Sequence, residues 1–300
     1  MDTSYPYAPP VELERIAQPG QFLRSVHSIY RAEFRRWFGI MAPTSLLAGV
    51  VLVLADQCMK AINVGLHRGE IPRFSDIAAI ASVRIGSFFL SWLLGCFALA
   101  AIATVVNDLD GTDDTEGWQH DSYQRAREHF GTLVALSLIT FCAFGCGIFG
   151  MGFVETVGLR LIGRSHITRY SYAAGVIDYV VIAGVCSWIG VAIPIVLKGN
   201  VRVWAAIRES VELSNGYEVA LFLLVVESVV GGMIAWYVVI RGLPILLPEH
   251  IQFAWWYSWV VNAAGLLASA AVDPPLFLGL SLLADPERFN GSLLRREVTT

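Results

Sequence analysis

Six stretches of this chain are too long and too apolar for ordinary helices in water. A helix needs about 20 apolar residues to cross the hydrocarbon core of a bilayer. Trp37–Ala55 runs 19 residues without a charged side chain, Ile85–Asn107 runs 23 and Gly131–Val154 runs 24. A fourth run, 170–197, is broken only by Asp178. A fifth, 219–247, holds Glu227 and Arg241, and a sixth, 251–284, holds Asp273. None alternates residue by residue as a barrel strand does. The expected fold is an all-α integral membrane protein with spans at about 37–55, 85–107, 131–158, 170–197, 219–247 and 251–284.

The composition agrees. Of 300 residues 55% are hydrophobic and only 15% are charged, against about 25% charged in a typical soluble domain. Mean hydropathy is +0.58. Disorder and a disulfide-framed miniature fold are excluded. The net charge of −4 gives no basic excess for nucleic acid. The five cysteines, Cys58, Cys96, Cys142, Cys146 and Cys186, form no CxxC pair and read as small packing residues. Neither HExxH nor GxSxG occurs. The six histidines, His27, His67, His120, His129, His166 and His250, fall in tails, loops or flanking segments and read as surface residues. The expectation is no enzyme, no cofactor, no metal and no catalytic residue.

An even number of spans puts both termini on one side. That side carries 13 Lys and Arg residues and the other 8. Positive loops favour the cytoplasm, so both ends are expected to be cytoplasmic. Residues 1–20 read as a flexible tail and 285–300 as a second tail. The first 36 residues lack the apolar core of a cleavable signal, so the first span is expected to act as the membrane signal. Small residues recur at spacing four: Ser87, Ser91 and Gly95; Cys142, Cys146 and Gly150; Gly265 and Ser269. Such faces let helices approach closely inside one bundle.

An amphipathic helix is expected before each odd-numbered span. In the first, Phe22, Leu23, Val26, Ile29, Tyr30, Phe34 and Trp37 follow helical spacing, and Arg24, Arg31, Arg35 and Arg36 occupy the other face. The second carries Trp118, Tyr123, Ala126 and Phe130. The third sets Trp204, Ile207 and Val211 opposite Arg208, Glu209 and Glu212. Helices of this kind lie in the headgroup plane with the apolar face sunk below it. The chain then reads as a threefold repeat of an interfacial helix and a transmembrane hairpin. Anionic lipid would attract the basic first helix. The acidic run Asp108, Asp110, Asp113, Asp114, Glu116 and Asp121 reads as a solvated loop.

Around the third of these helices, Pro194, Lys198 and Gly199 are followed by Ser210, Leu213 and Gly216 in a Ser-x-x-Leu-x-x-Gly pattern. This stretch resembles the membrane-domain family of glycerophosphodiester phosphodiesterases and its stand-alone bacterial relatives. Pro274 and Pro275, with Asp285 and Arg288, resemble that family's end pattern. Lys198 departs from it, since the family often has an acidic residue there. The resemblance implies an architecture, a place in a bacterial inner membrane, and little chemistry. Physically the motif reads as an elbow. Pro194 removes a donor and kinks the fourth span. Ser210 bonds back to a helix carbonyl. Gly216 supplies a positive φ where the chain turns into the fifth span.

The tetrapeptide His67, Arg68, Gly69, Glu70 matches the entry to that family's catalytic barrel. A barrel of about 250 residues does not fit the short loop that holds it, and the match reads as chance.

The intramembrane polar residues carry the functional expectations. Glu155, Asp178, Glu227 and Asp273 give spans three to six one carboxylate each. A charge at the bilayer centre costs at least about 2.5 kcal/mol, so each needs a partner, a proton or a cavity. Glu155 and Asp178, with Arg84 and Arg241, suggest an outer ring of ion pairs. Glu227 lies about 14 Å past Glu218 and Asp273 about 18 Å before Asp285 along their helices. Their depths match, and no span offers a basic residue at that level. A shared proton, a cation or proton site at a broken helix, and a hydrogen-bonded packing knot all fit. Two functions follow. One is a non-enzymatic membrane module that binds protein partners or organises lipid at the cytoplasmic face. The other is a small transporter or proton- or cation-coupled carrier.

Overall fold

The computed structural model describes residues 19–66, 74–107, 118–161, 180–184, 187–199, 201–246 and 257–284. Every regular element among them is a helix: α1 Pro19–Ala32, α2 Phe34–Leu66, α3 Phe74–Asn107, α4 Trp118–Glu128, α5 Phe130–Leu161, α6 Ala192–Lys198, α7 Val203–Ser214, α8 Glu218–Leu246, α9 Tyr257–Ala270 and α10 Pro274–Leu283. Six helical stretches are long and apolar enough to cross a membrane, and the fold is that of an all-α, multi-pass membrane protein.

The first two spans are longer helices than their uncharged runs. The α2 helix continues past Ala55 to Leu66, and α3 begins eleven residues before Ile85. Charge ends a hydrocarbon-compatible run but not a helix. Asp56 and Lys60, one turn apart, pair at 2.6 Å and support the extension of α2.

The spans sort into an inner and an outer set. In the second, fourth and sixth, 56%, 62% and 50% of the apolar window is buried in protein; in the first, third and fifth the shares are 33%, 22% and 28%. The three inner spans touch one another. The α3 helix packs on α6 and on α10, and Gly190 of the fourth span lies against Leu280 of the sixth. The outer spans lean on them: α2 on α3 and α9, α5 on α3, and α8 on α9 and α10. Leu47, Val50, Leu138, Met233 and Ile234 face outward on the outer set.

The short helices complete a cyclic pattern. The α4 helix packs on α3, α7 on α6 and α5, and α1 on α8 and α10. Each thus seats on the hairpin of the preceding unit, and the first closes on the last. Their register repeats as well. Val26, Ser122 and Ser210 each stand eight residues before the long helix that follows, and all three are buried.

Burial is densest at the end of the bundle that these helices surround. Trp37, Ile40 and Met41 of α2, Ala98–Ile102 of α3, Leu133 and Leu136 of α5, Val191–Ile193, Leu221 and Leu224 of α8, and Leu278–Leu283 of α10 form one continuous core there.

The short helices differ from expectation in what they bury. On α1 the apolar residues Phe22, Val26 and Ile29 face protein. Phe22 meets Tyr217 edge-on, Phe22 and Val26 lie against Gly279, and Tyr30 reaches Ala271. From Phe22 to Tyr30, α1 therefore descends along α10 instead of lying flat across its end. On α7 the buried face is Ala206, Ser210 and Ser214, while Trp204 and Val211 stay exposed. Small side chains allow the close approach to α6, and the large apolar ones are left outside. The side chain of Trp118 lies outside the described residues.

Candidate functional site: a polar cluster at the break in the sixth span

The cluster begins with an interruption of helix hydrogen bonding. Pro274 and Pro275 have no backbone N–H, so the carbonyls of Ala270 and Ala271 lose their helical donors. The sixth span accordingly divides, with α9 ending at Ala270 and α10 starting at Pro274. Tight turns bridge the gap: Ala271 donates to the Ala268 carbonyl at 3.2 Å and Val272 to the Ser269 carbonyl at 2.8 Å. The freed carbonyl of Ala271 accepts a hydrogen bond from the Tyr30 hydroxyl of α1.

The two carboxylates of similar depth both lie at this break. The Ser228 hydroxyl of α8 donates to Asp273 Oδ1 at 2.6 Å. The neighbouring Glu227 meets His27 of α1, whose Nε2 lies 2.8 Å from one carboxyl oxygen and 3.0 Å from the other. The second ring nitrogen, Nδ1, is 2.8 Å from the carbonyl of Leu23 one turn earlier. The Tyr30 hydroxyl is held above its usual pKa, first by burial and then by the negative charges of Glu227 and Asp273. It therefore acts as a standing donor. Five side chains from three segments meet here: His27, Tyr30, Glu227, Ser228 and Asp273.

The cluster corrects two expectations. Glu227 has a basic partner, and His27 is not a lone surface residue. The expectation concerned basic residues of the spans, whereas the partner is an imidazole on a short helix 200 residues away in sequence. Glu227 and Asp273 also have separate partners, with His27 serving one and Ser228 the other. The pair is not sealed: the side chains of His27 and Glu227 are 31% and 40% exposed. One signal in the sequence pointed to it. His27 sits between Leu23 and Tyr30 in the packed stripe of an amphipathic helix, where a purely apolar row was expected.

Of the expected outer ring the structure describes the two arginines. Arg84 Nε contacts Met59 Sδ at 3.3 Å, and the Arg241 guanidinium stacks 5.6 Å over the Tyr237 ring. Asp178 and the side chain of Glu155 lie outside the described residues, as do 67–70, 108–117, 285–300 and Cys186. Of the small-residue stripes, Gly265 and Ser269 form a seam inside the molecule. Gly265 lies against Trp236, and Ser269 Oγ is 3.3 Å from the Gly232 carbonyl. Cys142 and Cys146 are exposed.

The elbow residues take up their expected places with one change of partner. The fourth span turns at Val191, four residues before Ile195, and Pro194 is buried in α6 directly after it. Gly216 has φ +91° where α7 ends and α8 begins. Ser210 does not bond within its own helix; its hydroxyl donates to the carbonyl of Trp188 in the fourth span. Leu213 packs against the core. Lys198 donates to the carbonyl of Ala284, at the end of α10, where a cation complements the exposed carbonyls of a helix C-terminus.

Among the described residues no group of three or more His, Cys, Asp or Glu side chains is arranged to hold a metal ion. No family model, no curated protein and no solved structure matches this chain.

Proposed function

We propose that this protein is a non-enzymatic multi-pass module that organises lipid or binds protein partners at one face of the membrane, through the helices that surround its packed end. The observation that carries the reading is the outward face of α7. Trp204 is 73% exposed and Val211 48%, on a helix whose opposite face is already packed against protein. An exposed indole beside Arg208 and Glu212 suits the headgroup region, where one part of a side chain is apolar and another wet. Arg24 and Arg31 of α1, with Arg35 at the start of α2, add an exposed basic row that suits anionic lipid or an acidic partner. Because the apolar face of α1 is occupied by protein, its attraction to lipid is electrostatic.

The Lys and Arg distribution supports both termini on the cytoplasmic side, and the resemblance to stand-alone bacterial proteins supports a bacterial cytoplasmic membrane. The resemblance to the membrane domain of glycerophosphodiester phosphodiesterases supports an accessory module of this architecture. Thiol labelling of Gly69→Cys from the outside and Gly199→Cys from the inside tests that orientation. The functional test is quenching of Trp204 by lipids brominated at defined depths, read as the difference from Trp204→Phe. Quenching near the headgroups, strengthened by anionic lipid, supports the reading. An unquenched Trp204, with recovery of a bare monomer holding no preferred lipid, removes it.

The polar cluster supports a second reading, a proton- or cation-coupled carrier, because two carboxylates gather at a broken span as they do around coupling-ion sites. It predicts flux in proteoliposomes that Asp273→Asn abolishes without unfolding. Flux equal to that of empty vesicles across ions and lipids eliminates it.

A further inference from the structure

We infer that the join between α1 and α2 is a binding site for one anionic phospholipid, with its phosphate between Arg31 and Arg35 and its acyl chains along the outward face of α2. The inference rests on the membrane-surface reading above and narrows it to one ligand class at one place.

Two cations without partners define the headgroup end. Arg31 lies in the last turn of α1 and Arg35 in the first turn of α2, and both are exposed. Neither has a hydrogen-bond or ion-pair partner among the described residues. The acid between them, Glu33, is taken by Arg36 at 3.1 Å. Helical bonding passes through the join: Glu33 N–H donates to the Ile29 carbonyl at 3.1 Å, and Trp37 N–H to the Glu33 carbonyl at 3.2 Å. Residues four apart therefore stay neighbours across it, about 5–6 Å between Cβ atoms. The rings of Tyr30 and Phe34, which meet edge-on at 5.6 Å, show that spacing directly. Arg31 and Arg35 each follow one of those aromatic residues, so they share a stripe one turn apart. Like charges so placed repel until an anion lies between them, and guanidinium groups suit phosphate oxygens in particular. Between Pro19 and Arg36 there are four arginines and one acid. The other short helices are balanced: Arg208 pairs with Glu212 at 3.2 Å on α7, and Asp121 and Glu128 accompany Arg125 and Arg127 on α4.

The surface beneath the arginines says what carries the phosphate. Phe34 is 41% exposed, and its ring stacks on Phe38 at 5.8 Å, so the basic pair is flanked by aromatic surface. From Trp37 to Ala55 no charged residue follows, and Leu46, Leu47 and Val50 of that run face outward. At 1.5 Å per residue Leu46 lies about 16 Å beyond Arg35 along α2. That is close to the depth of one leaflet, half of a hydrocarbon core about 30 Å thick. A molecule with an anionic head and apolar chains matches both ends of this track. An acidic protein loop or a free phosphate satisfies the arginines and leaves the apolar run below them unmatched. The apolar face of α1 is already filled by protein, so the chains follow α2.

The experiment titrates the full-length protein, in a neutral detergent, with dioleoylphosphatidylglycerol or dioleoylphosphatidylcholine and counts bound lipids by native mass spectrometry. We expect the first phosphatidylglycerol to bind about thirtyfold more tightly than phosphatidylcholine, the preference that two basic residues give near a membrane surface. Arg31→Gln combined with Arg35→Gln should abolish that preference. Arg127→Gln combined with Arg202→Gln removes the same charge from exposed positions elsewhere and should leave it intact. Glycerol phosphate, which has the head without the chains, should not displace the lipid at equal concentration. A benzophenone side chain in place of Leu46 locates the chains and should crosslink phosphatidylglycerol unless both arginines are substituted. Equal affinity for the two lipids, a preference that survives the Arg31 and Arg35 substitutions, or displacement by glycerol phosphate overturns the inference. Crosslinking at Leu46 in native membranes to an acidic polypeptide instead of lipid overturns it too. Headgroup-level quenching of Trp204 without any phosphatidylglycerol preference removes this site alone and leaves the membrane-surface reading standing.

Discussion

Single hydrogen bonds decide how the first helix attaches to the last span. The Tyr30 hydroxyl serves a carbonyl that two prolines have deprived of its donor. Tyr30→Phe keeps the ring against Phe34 but strands that carbonyl. The expected cost is about 1–2 kcal/mol, measured as a lower midpoint in denaturant titration of the purified protein. Tyr123 makes the corresponding contact for α4, donating to the carbonyl of Ile40. Burial pushes its hydroxyl up to about 12. A free tyrosine titrates at about 10, so above that pH the unfolded chain releases a proton that the folded one retains. The stabilisation from Tyr123 is thus complete below about pH 10 and is lost as pH rises toward 12. Tyr123→Phe should remove that part of the alkaline loss in a pH series of thermal midpoints. At this scale the sequence was legible for Glu227 and Asp273, because a charge in an apolar run is conspicuous. For His27 the sequence showed only a polar side chain in the apolar stripe of α1, because a partner 200 residues distant leaves no local pattern of its own.

Among the elements, α7 and its elbow tie sequence to structure most directly. The positive φ at Gly216 was expected from the chain's need to turn between α7 and α8, and it is present at +91°. No neighbouring atom blocks a side chain there, so Gly216→Ala isolates the conformational cost. We expect a loss of about 1–2 kcal/mol, with the fold retained, read from the same denaturant titration. The face of α7 was harder to read. Trp204, Ile207 and Val211 form the obvious apolar stripe, yet the buried face is Ala206, Ser210 and Ser214. In a lipid setting apolar bulk does not mark the protein-facing side, and close packing selects small residues. For α1 the ordinary rule held, because Phe22, Val26 and Ile29 fill space above the seam of α8 and α10.

Taken whole, the molecule is three units joined in a ring. The spans of even number gather inside, and each short helix seats on the unit before it. This arrangement predicts proximity that sequence order does not. Gly190→Cys and Leu280→Cys, 90 residues apart on the fourth and sixth spans, should be bridged by mercury in intact membranes. Leu47→Cys and Leu138→Cys, on outward faces of the first and third spans, should not. Bridging of the second pair alone would reverse the inner and outer sets. The order of one short and two long helices was visible three times in the amphipathic and apolar runs. Which spans lie inside was not, because all six are similarly hydrophobic and lipid tolerates any of their faces.

The amino-acid sequence by itself determined that the chain is helical and crosses a membrane, where it does so, and where proline and glycine interrupt or turn it. Those properties follow from transfer free energies and backbone chemistry of residues near one another in the chain. The tertiary structure alone decided that His27 meets Glu227, that Ser210 reaches Trp188, and that α1 closes on α8 and α10. Each joins groups far apart in the chain, and long-range pairing depends on complementary shape and hydrogen-bond geometry that no single stretch encodes.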